Sequence, residues 1–83
     1  MSFDLTSLRK SLGLTQAEMA KRMDMGARTY FALEADPGSV KDRHVRVAES
    51  VAIDVAIERR NPMLAPARAR KAALELVRMM TEG

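Results

Sequence analysis

Apolar residues recur along this chain at helical spacing, and strand-type alternation is scarce, so the pattern predicts an all-α fold. Leu5, Leu8 and Leu12 fall on one face of a first helix over about Asp4 to Leu12. Gly13 follows as its C-terminal cap, where the left-handed backbone costs glycine nothing. Thr15 and Glu18 then form a capping box at the start of a second helix, in which each residue's side chain bonds the other's amide. Leu14 and Met19 stand where a hydrophobic staple closes that entry, and Met19, Ala20 and Met23 face inward. Asp24-Met25-Gly26 is a tight turn in which Asp24 tolerates the left-handed backbone better than most residues do. A third helix is predicted over about Ala27 to Glu34, with Tyr30 and Leu33 turned inward, and Ala35-Asp36-Pro37-Gly38 ends it in a loop.

Ser39 with Asp42 predicts a second capping box and a long fourth helix over about Val40 to Arg60. Its inner face is expected at Val47, Val51 and Val55, with Val40, Ala48, Ala52 and Ile57 near it. Asn61-Pro62 breaks the pattern. Pro62 or Pro66 is expected in the first turn of a fifth helix that ends near Thr81 and carries the stripe Ala69, Ala73, Leu76, Val77, Met80. The expected architecture is therefore a five-helix bundle, divided into a helix-turn-helix unit over residues 1–60 and a C-terminal helical extension over residues 61–83.

The second and third helices make the one specific chemical proposal in the chain. Two short helices joined by a tight turn let the first brace while the second enters the major groove of double-stranded DNA. The outward residues of the third helix are Ala27, Arg28, Phe31 and Ala32, expected to contact bases, with Thr29 at the edge facing a phosphate. A guanidinium at Arg28 can bond both O6 and N7 of guanine, worth about 1–3 kcal/mol of discrimination. Ala27 and Ala32 permit close approach, and Phe31 suits a thymine methyl, although a dimer or loop contact fits Phe31 equally well. Gln16 and the amides beside it can face a phosphate at the positive end of the second helix.

Charge and composition narrow the alternatives. The net charge is +3, and all of it arises in residues 41–83, which permits phosphate binding without requiring it. The absence of cysteine removes disulfides, zinc-thiolate sites and thiol nucleophiles, and it fits a cytoplasmic protein. With one histidine, His44, and no glycine-rich phosphate loop, no enzyme, metal site or cofactor is expected. No apolar run approaches the length of a membrane span, and the start MSFDL does not resemble a signal peptide. The basic run Arg68, Arg70, Lys71 reads as a solvated helix face or a second phosphate contact.

Residues 5 to about 57 resemble the lambda-repressor-like (Cro/cI, XRE) DNA-binding domain. The matching elements are Leu14-Thr15-Gln16, Glu18-Met19-Ala20 and Leu33-Glu34 at the family's spacing. The resemblance implies a structural salt bridge between Arg9 and Glu34. It also implies phosphate contacts from Gln16 and from Lys41 and Arg43, with Arg46 added to them. The chain departs from the family pattern at Asp24, usually glycine; at Gly26, usually a serine or threonine cap; and at Tyr30, usually aliphatic.

These readings together predict a sequence-specific transcriptional regulator, most simply a repressor of its own operon in a phage or mobile element, including operons of the anti-CRISPR or toxin–antitoxin kind. No small-molecule ligand is expected. A homodimer is, because one short helix reads only a few base pairs, and two copies on a two-fold-symmetric operator supply the rest. The dimer surface is expected on the fourth and fifth helices, with Ala69, Ala73, Leu76, Val77 and Met80 as its stripe. The same stripe would also serve to pack the fifth helix on its own core. The rival reading is an antitoxin-like or adaptor module that uses this fold to bind another protein.

Overall fold

The computed structural model describes residues 3–82 and contains five α-helices among them: α1 Leu5–Ser11, α2 Gln16–Arg22, α3 Ala27–Ala35, α4 Asp42–Glu58 and α5 Ala67–Glu82. Short 3-10 turns, Pro37–Ser39 and Pro62–Leu64, precede α4 and α5. The described residues are therefore all-α, as the apolar spacing predicts.

Local sequence sets most of the boundaries. Asp4 caps α1 by accepting from the Ser7 amide at 3.1 Å. The Thr15–Glu18 box forms in full: Glu18 N–H donates to Thr15 Oγ1 at 3.1 Å, and Thr15 N–H donates to Glu18 Oε1 at 2.8 Å. Three helices end in the same way. After α1, α2 and α4 a residue with positive φ (Gly13 at 70°, Asp24 at 58°, Arg60 at 52°) lets the next amide reach back to a carbonyl of the last turn. These closing bonds run from Leu14 to Arg9, Met25 to Ala20 and Asn61 to Ala56. They satisfy carbonyls that the helix itself leaves free.

The core gathers Leu5, Leu12 and Leu14 from α1 and its exit, Met19, Ala20 and Met23 from α2, Tyr30 and Leu33 from α3, and Ala48, Val51, Ala52 and Val55 from α4. Met25, predicted to face inward, packs against this cluster while only partly buried. Ala20 is 1% exposed, so no larger side chain fits between the helices there.

Three expectations need correction. The Ser39–Asp42 capping box does not form. Ser39 lies in the 3-10 turn, its hydroxyl donates to the Asp36 carbonyl, and α4 begins at Asp42, later than predicted. Pro37 nucleates that turn by fixing its own φ, which draws Ser39 away from the helix start. His44 acts there instead: its Nδ1 accepts from the Lys41 amide at 2.9 Å.

The inner face of α4 is also rotated from the predicted one. Ala48, Val51, Ala52, Val55 and Ala56 are buried, whereas Val47 and Ile57 are exposed. Each helical residue turns about 100°, so Ile57 stands about 200° around the helix from the buried Val55. Finally, Pro62 opens the second 3-10 turn, and Pro66 immediately precedes α5, where its carbonyl accepts from Arg70 N–H. No residue of α5 is buried, so its stripe does not pack on the core of its own chain.

Candidate nucleic-acid interface

The turn between α2 and α3 is held from both sides. Asp24 N–H donates to the Lys21 carbonyl and Met25 N–H to the Ala20 carbonyl, so the turn closes on α2 before α3 begins. Gly26 is the N-cap residue of α3 and supplies no side-chain hydrogen bond. No atom lies within 4 Å of a Cβ built there, so neither close packing nor positive φ explains this glycine. The α3 start therefore has free amides in place of the Ser or Thr cap that is usual in the family.

From this start α3 buries Tyr30 and Leu33 and leaves Ala27, Arg28, Thr29, Phe31 and Ala32 exposed. Phe31 is 44% exposed. The outward face of α3 thus consists of two alanines, a threonine, an aromatic ring and one cation. Small side chains around a single long donor leave room for a base edge to approach.

A polar network fixes α3 against α1 and α2. Arg9 meets the Glu34 carboxylate with two nitrogens, Nε at 2.7 Å and Nη2 at 3.2 Å, and its Nη1 donates to the Leu14 carbonyl at 3.0 Å. Gln16 Nε2 donates to the same carboxylate at 3.0 Å, and the Tyr30 hydroxyl donates to it as well. Burial alone would push the Glu34 carboxyl up; the donors from Arg9, Tyr30 and Gln16 outweigh it and hold the group at about 2. Burial pushes the Tyr30 hydroxyl up, and its bond to Glu34 adds to the rise. Tyr30, a departure from the aliphatic residue usual at this position, both fills the core and donates to Glu34. That second role has no signal in hydrophobic periodicity.

The remaining cations sort by partner. Arg22 pairs with Glu58 at 2.8 Å, Arg68 with Glu49 and Arg78 with Glu75. Arg59 and Arg70 donate to the carbonyls of Leu12 and Ala65. Of the basic run on α5, therefore, two members are already engaged. In contrast, Arg28, Lys41, Arg43 and Arg46 are exposed and form no ion pair among the described residues, and the same holds for Lys10, Lys21, Arg60 and Lys71. Lys41 and Arg43 bracket the start of α4, and Arg46 lies one turn further on. Gln16 differs from them: one N–H of its side-chain amide is taken by Glu34, which orients the side chain and leaves its second N–H and the backbone at the α2 start as donors.

Two short helices joined by a tight turn, the second tied to α1 by a half-buried ion pair and exposing a compact face, define a helix-turn-helix protein. The profile of the helix-turn-helix family matches residues 5–46, and the chain belongs to this family in its XRE, lambda-repressor-like form. It is a DNA-binding transcriptional regulator of that type. No curated protein and no solved structure gives a match to the chain. No helix among the described residues is long and apolar enough to cross a membrane.

Proposed function

We propose that the protein is a sequence-specific homodimeric repressor that occludes a promoter by binding a two-fold-symmetric operator, most simply that of its own operon in a phage or mobile element. The observation that carries this reading is the placement of Arg28, exposed and without an ion pair on the outward face of α3, whereas Arg9, Arg22, Arg59, Arg68, Arg70 and Arg78 bond carboxylates or carbonyls. An uncommitted guanidinium on a face otherwise made of small or apolar side chains suits bidentate contact with guanine in the major groove. Ala27, Phe31 and Ala32 complete the base-reading face, with methyl contacts to thymine. Thr29, Lys41, Arg43, Arg46 and the start of α2 at Gln16 take phosphates, which fix register without reading sequence.

The homodimer reading is supported by α5, whose stripe Ala69, Ala73, Leu76, Val77 and Met80 has no buried member, with Leu76, Val77 and Met80 more than half exposed. Two copies place two α3 helices on half-sites roughly 34 Å, one helical turn, apart or a multiple of that. Leu76→Asp then yields a folded monomer; a folded dimer after this change removes the stripe as the interface.

The deciding experiment is selection of bound duplexes from a random DNA library, followed by titration of the selected site at two salt concentrations. A two-fold-symmetric motif, bound tightly and weakened by orders of magnitude between about 50 and 200 mM salt, is the expected result. Well-folded protein that enriches nothing overturns it. The exposed Phe31 ring and the uncovered α5 favour, as the second reading, a module that binds another protein. Its affinity would change little with salt.

A further inference from the structure

A groove lined mainly by apolar side chains lies outside the helix-turn-helix unit. α4 and α5 diverge from the corner at Pro62 and Met63 and border an open groove of about 720 Å³. Ile53, Ala56 and Ile57 line it from α4, and Ala73, Leu74 and Val77 from α5. Among the described residues, Arg60 and Arg70 are the only charged side chains that line it.

Exposure here goes far beyond isolated surface residues. Of the lining, Ile57 and Met63 are each 70% exposed and Leu74 69%, and Met80, further along α5, is 80% exposed. A soluble monomer rarely shows a contiguous apolar patch larger than a few hundred Å². Leu76, Val77 and Met79 of α5 are also more than half exposed.

We propose that this groove seats helix α5 of a second copy of the chain, so that each protomer inserts its α5 between α4 and α5 of the other. The proposal rests on the homodimer reading above and adds to it the α4 wall, Ile53 and Ile57, together with Met63.

Two features of α5 select a second copy as the occupant. The first is the width of its apolar surface. At about 100° per residue, the positions from Met79 through Leu76, Ala73 and Val77 to Leu74 cover roughly 220° of the helix, interrupted near its start by Arg70. A helix packed on one neighbour needs an apolar stripe only a little over ~100° wide. The excess fits a helix that lines a groove with one flank and enters its partner's groove with the other.

The second feature is charge. The first half of α5 carries Arg68, Arg70 and Lys71 and no carboxylate; the second half carries Glu75 and Glu82 around Arg78. A two-fold axis perpendicular to the helices makes α5 and its partner antiparallel. The acidic end of each then lies beside the basic end of the other, where Arg60 and Arg70 line the groove. A parallel arrangement would set like charges together.

The chain has no cysteine, so introduced cysteines report contacts between copies. Chains carrying Ile57→Cys are mixed with chains carrying Leu76→Cys and treated with a short thiol crosslinker, while sedimentation equilibrium compares wild type with Ile57→Asp and Met63→Asp. Both positions are exposed in the monomer, and circular dichroism checks that each variant folds. Insertion predicts a mixed Ile57–Leu76 crosslink and dimerisation weakened about tenfold or more in both Asp variants.

Wild-type dimers that tolerate both Asp variants, with crosslinks confined to Leu76→Cys chains, overturn the insertion and leave an α5–α5 dimer in place. Wild type that stays monomeric throughout the micromolar range overturns the insertion and the homodimer reading together. DNA binding is then judged separately, by the operator titration.

Discussion

Tyr30 and Glu34, one turn apart on α3, are joined by a hydrogen bond from the phenol to the carboxylate, on the side of the helix away from the exposed Arg28. The same carboxylate holds Arg9 of α1 and Gln16 of α2. One side chain at the end of α3 thus ties three helices together. A base-reading helix must keep its angle to the helix before it, and this network is the polar part of what fixes that angle.

Glu34 makes stability depend on acid. Its carboxyl lies at about 2 in the folded chain against 4.5 for a free glutamate, because the donors of Arg9, Tyr30 and Gln16 overcome the opposing effect of burial. A depressed carboxylate stabilises fully above its unfolded value, so the contribution is present above pH 4.5 and is lost as the pH falls through about 2. Urea unfolding at pH 6 and pH 3 should show the loss, and Glu34→Gln should flatten it. Glu34→Gln also takes the charge from the half-buried Arg9 bond while leaving it an acceptor, and should cost roughly 1.5–3 kcal/mol at neutral pH. Tyr30→Phe removes one bond to a charged group and should cost roughly 1.5–3 kcal/mol.

The helix ends at Asp24 and Arg60 are more strained than the one at Gly13. All three have positive φ, and the left-handed region costs a residue with a Cβ roughly 1–2 kcal/mol. Glycine removes that cost but adds freedom to the unfolded chain. Arg60→Gly should therefore add a net ~0.5–1 kcal/mol of stability, read as a higher urea midpoint, and Asp24→Gly less, since aspartate tolerates this backbone better. A fall in the midpoint for Arg60→Gly would show that its side chain stabilises the fold by more than its backbone strains it.

His44 holds the start of α4. Its Nδ1 takes the Lys41 amide, an amide that the helix itself cannot satisfy. His44→Ala should cost about 0.5–2 kcal/mol, and His44→Asn, which retains an acceptor, should recover part of it. Unfolding midpoints that are identical for all three chains would show that the bond adds nothing.

Arg28 and Lys41 should fail differently on DNA. Arg28→Ala should relax preference at one base position at a cost of about 1–3 kcal/mol on the selected site and leave non-specific binding nearly intact. Lys41→Ala should weaken binding to all sequences alike and reduce the slope of log affinity against log salt by about 1. Titration of matched and mismatched duplexes separates the two. Equal losses on both duplexes for Arg28→Ala would assign that side chain to phosphate.

The α2–α3 unit was legible in the sequence because its devices are local. Thr15 and Glu18 are three residues apart, Gly13 and Asp24 act through their own φ, and Met19, Ala20, Met23, Tyr30 and Leu33 fall inward by helical period alone. The resemblance supplied the Arg9–Glu34 pairing. It gave no sign that Gln16 and Tyr30 share that carboxylate, because those bonds depend on where three helices cross.

Tertiary structure decided the rest. Pro37 drew Ser39 into a 3-10 turn, so the α4 cap passed to His44. The apolar spacing of α4 is broad enough for several inner faces, and contact with α1, α2 and α3 selected the one with Val55 inside and Ile57 out. α5 was predicted as amphipathic from period alone, yet period cannot say whether a stripe closes on its own core. Here α4 and α5 diverge, and the stripe stays open. Local order follows from neighbours a few residues away, whose geometry the chain fixes; the fate of an apolar face depends on which surfaces the fold brings opposite it.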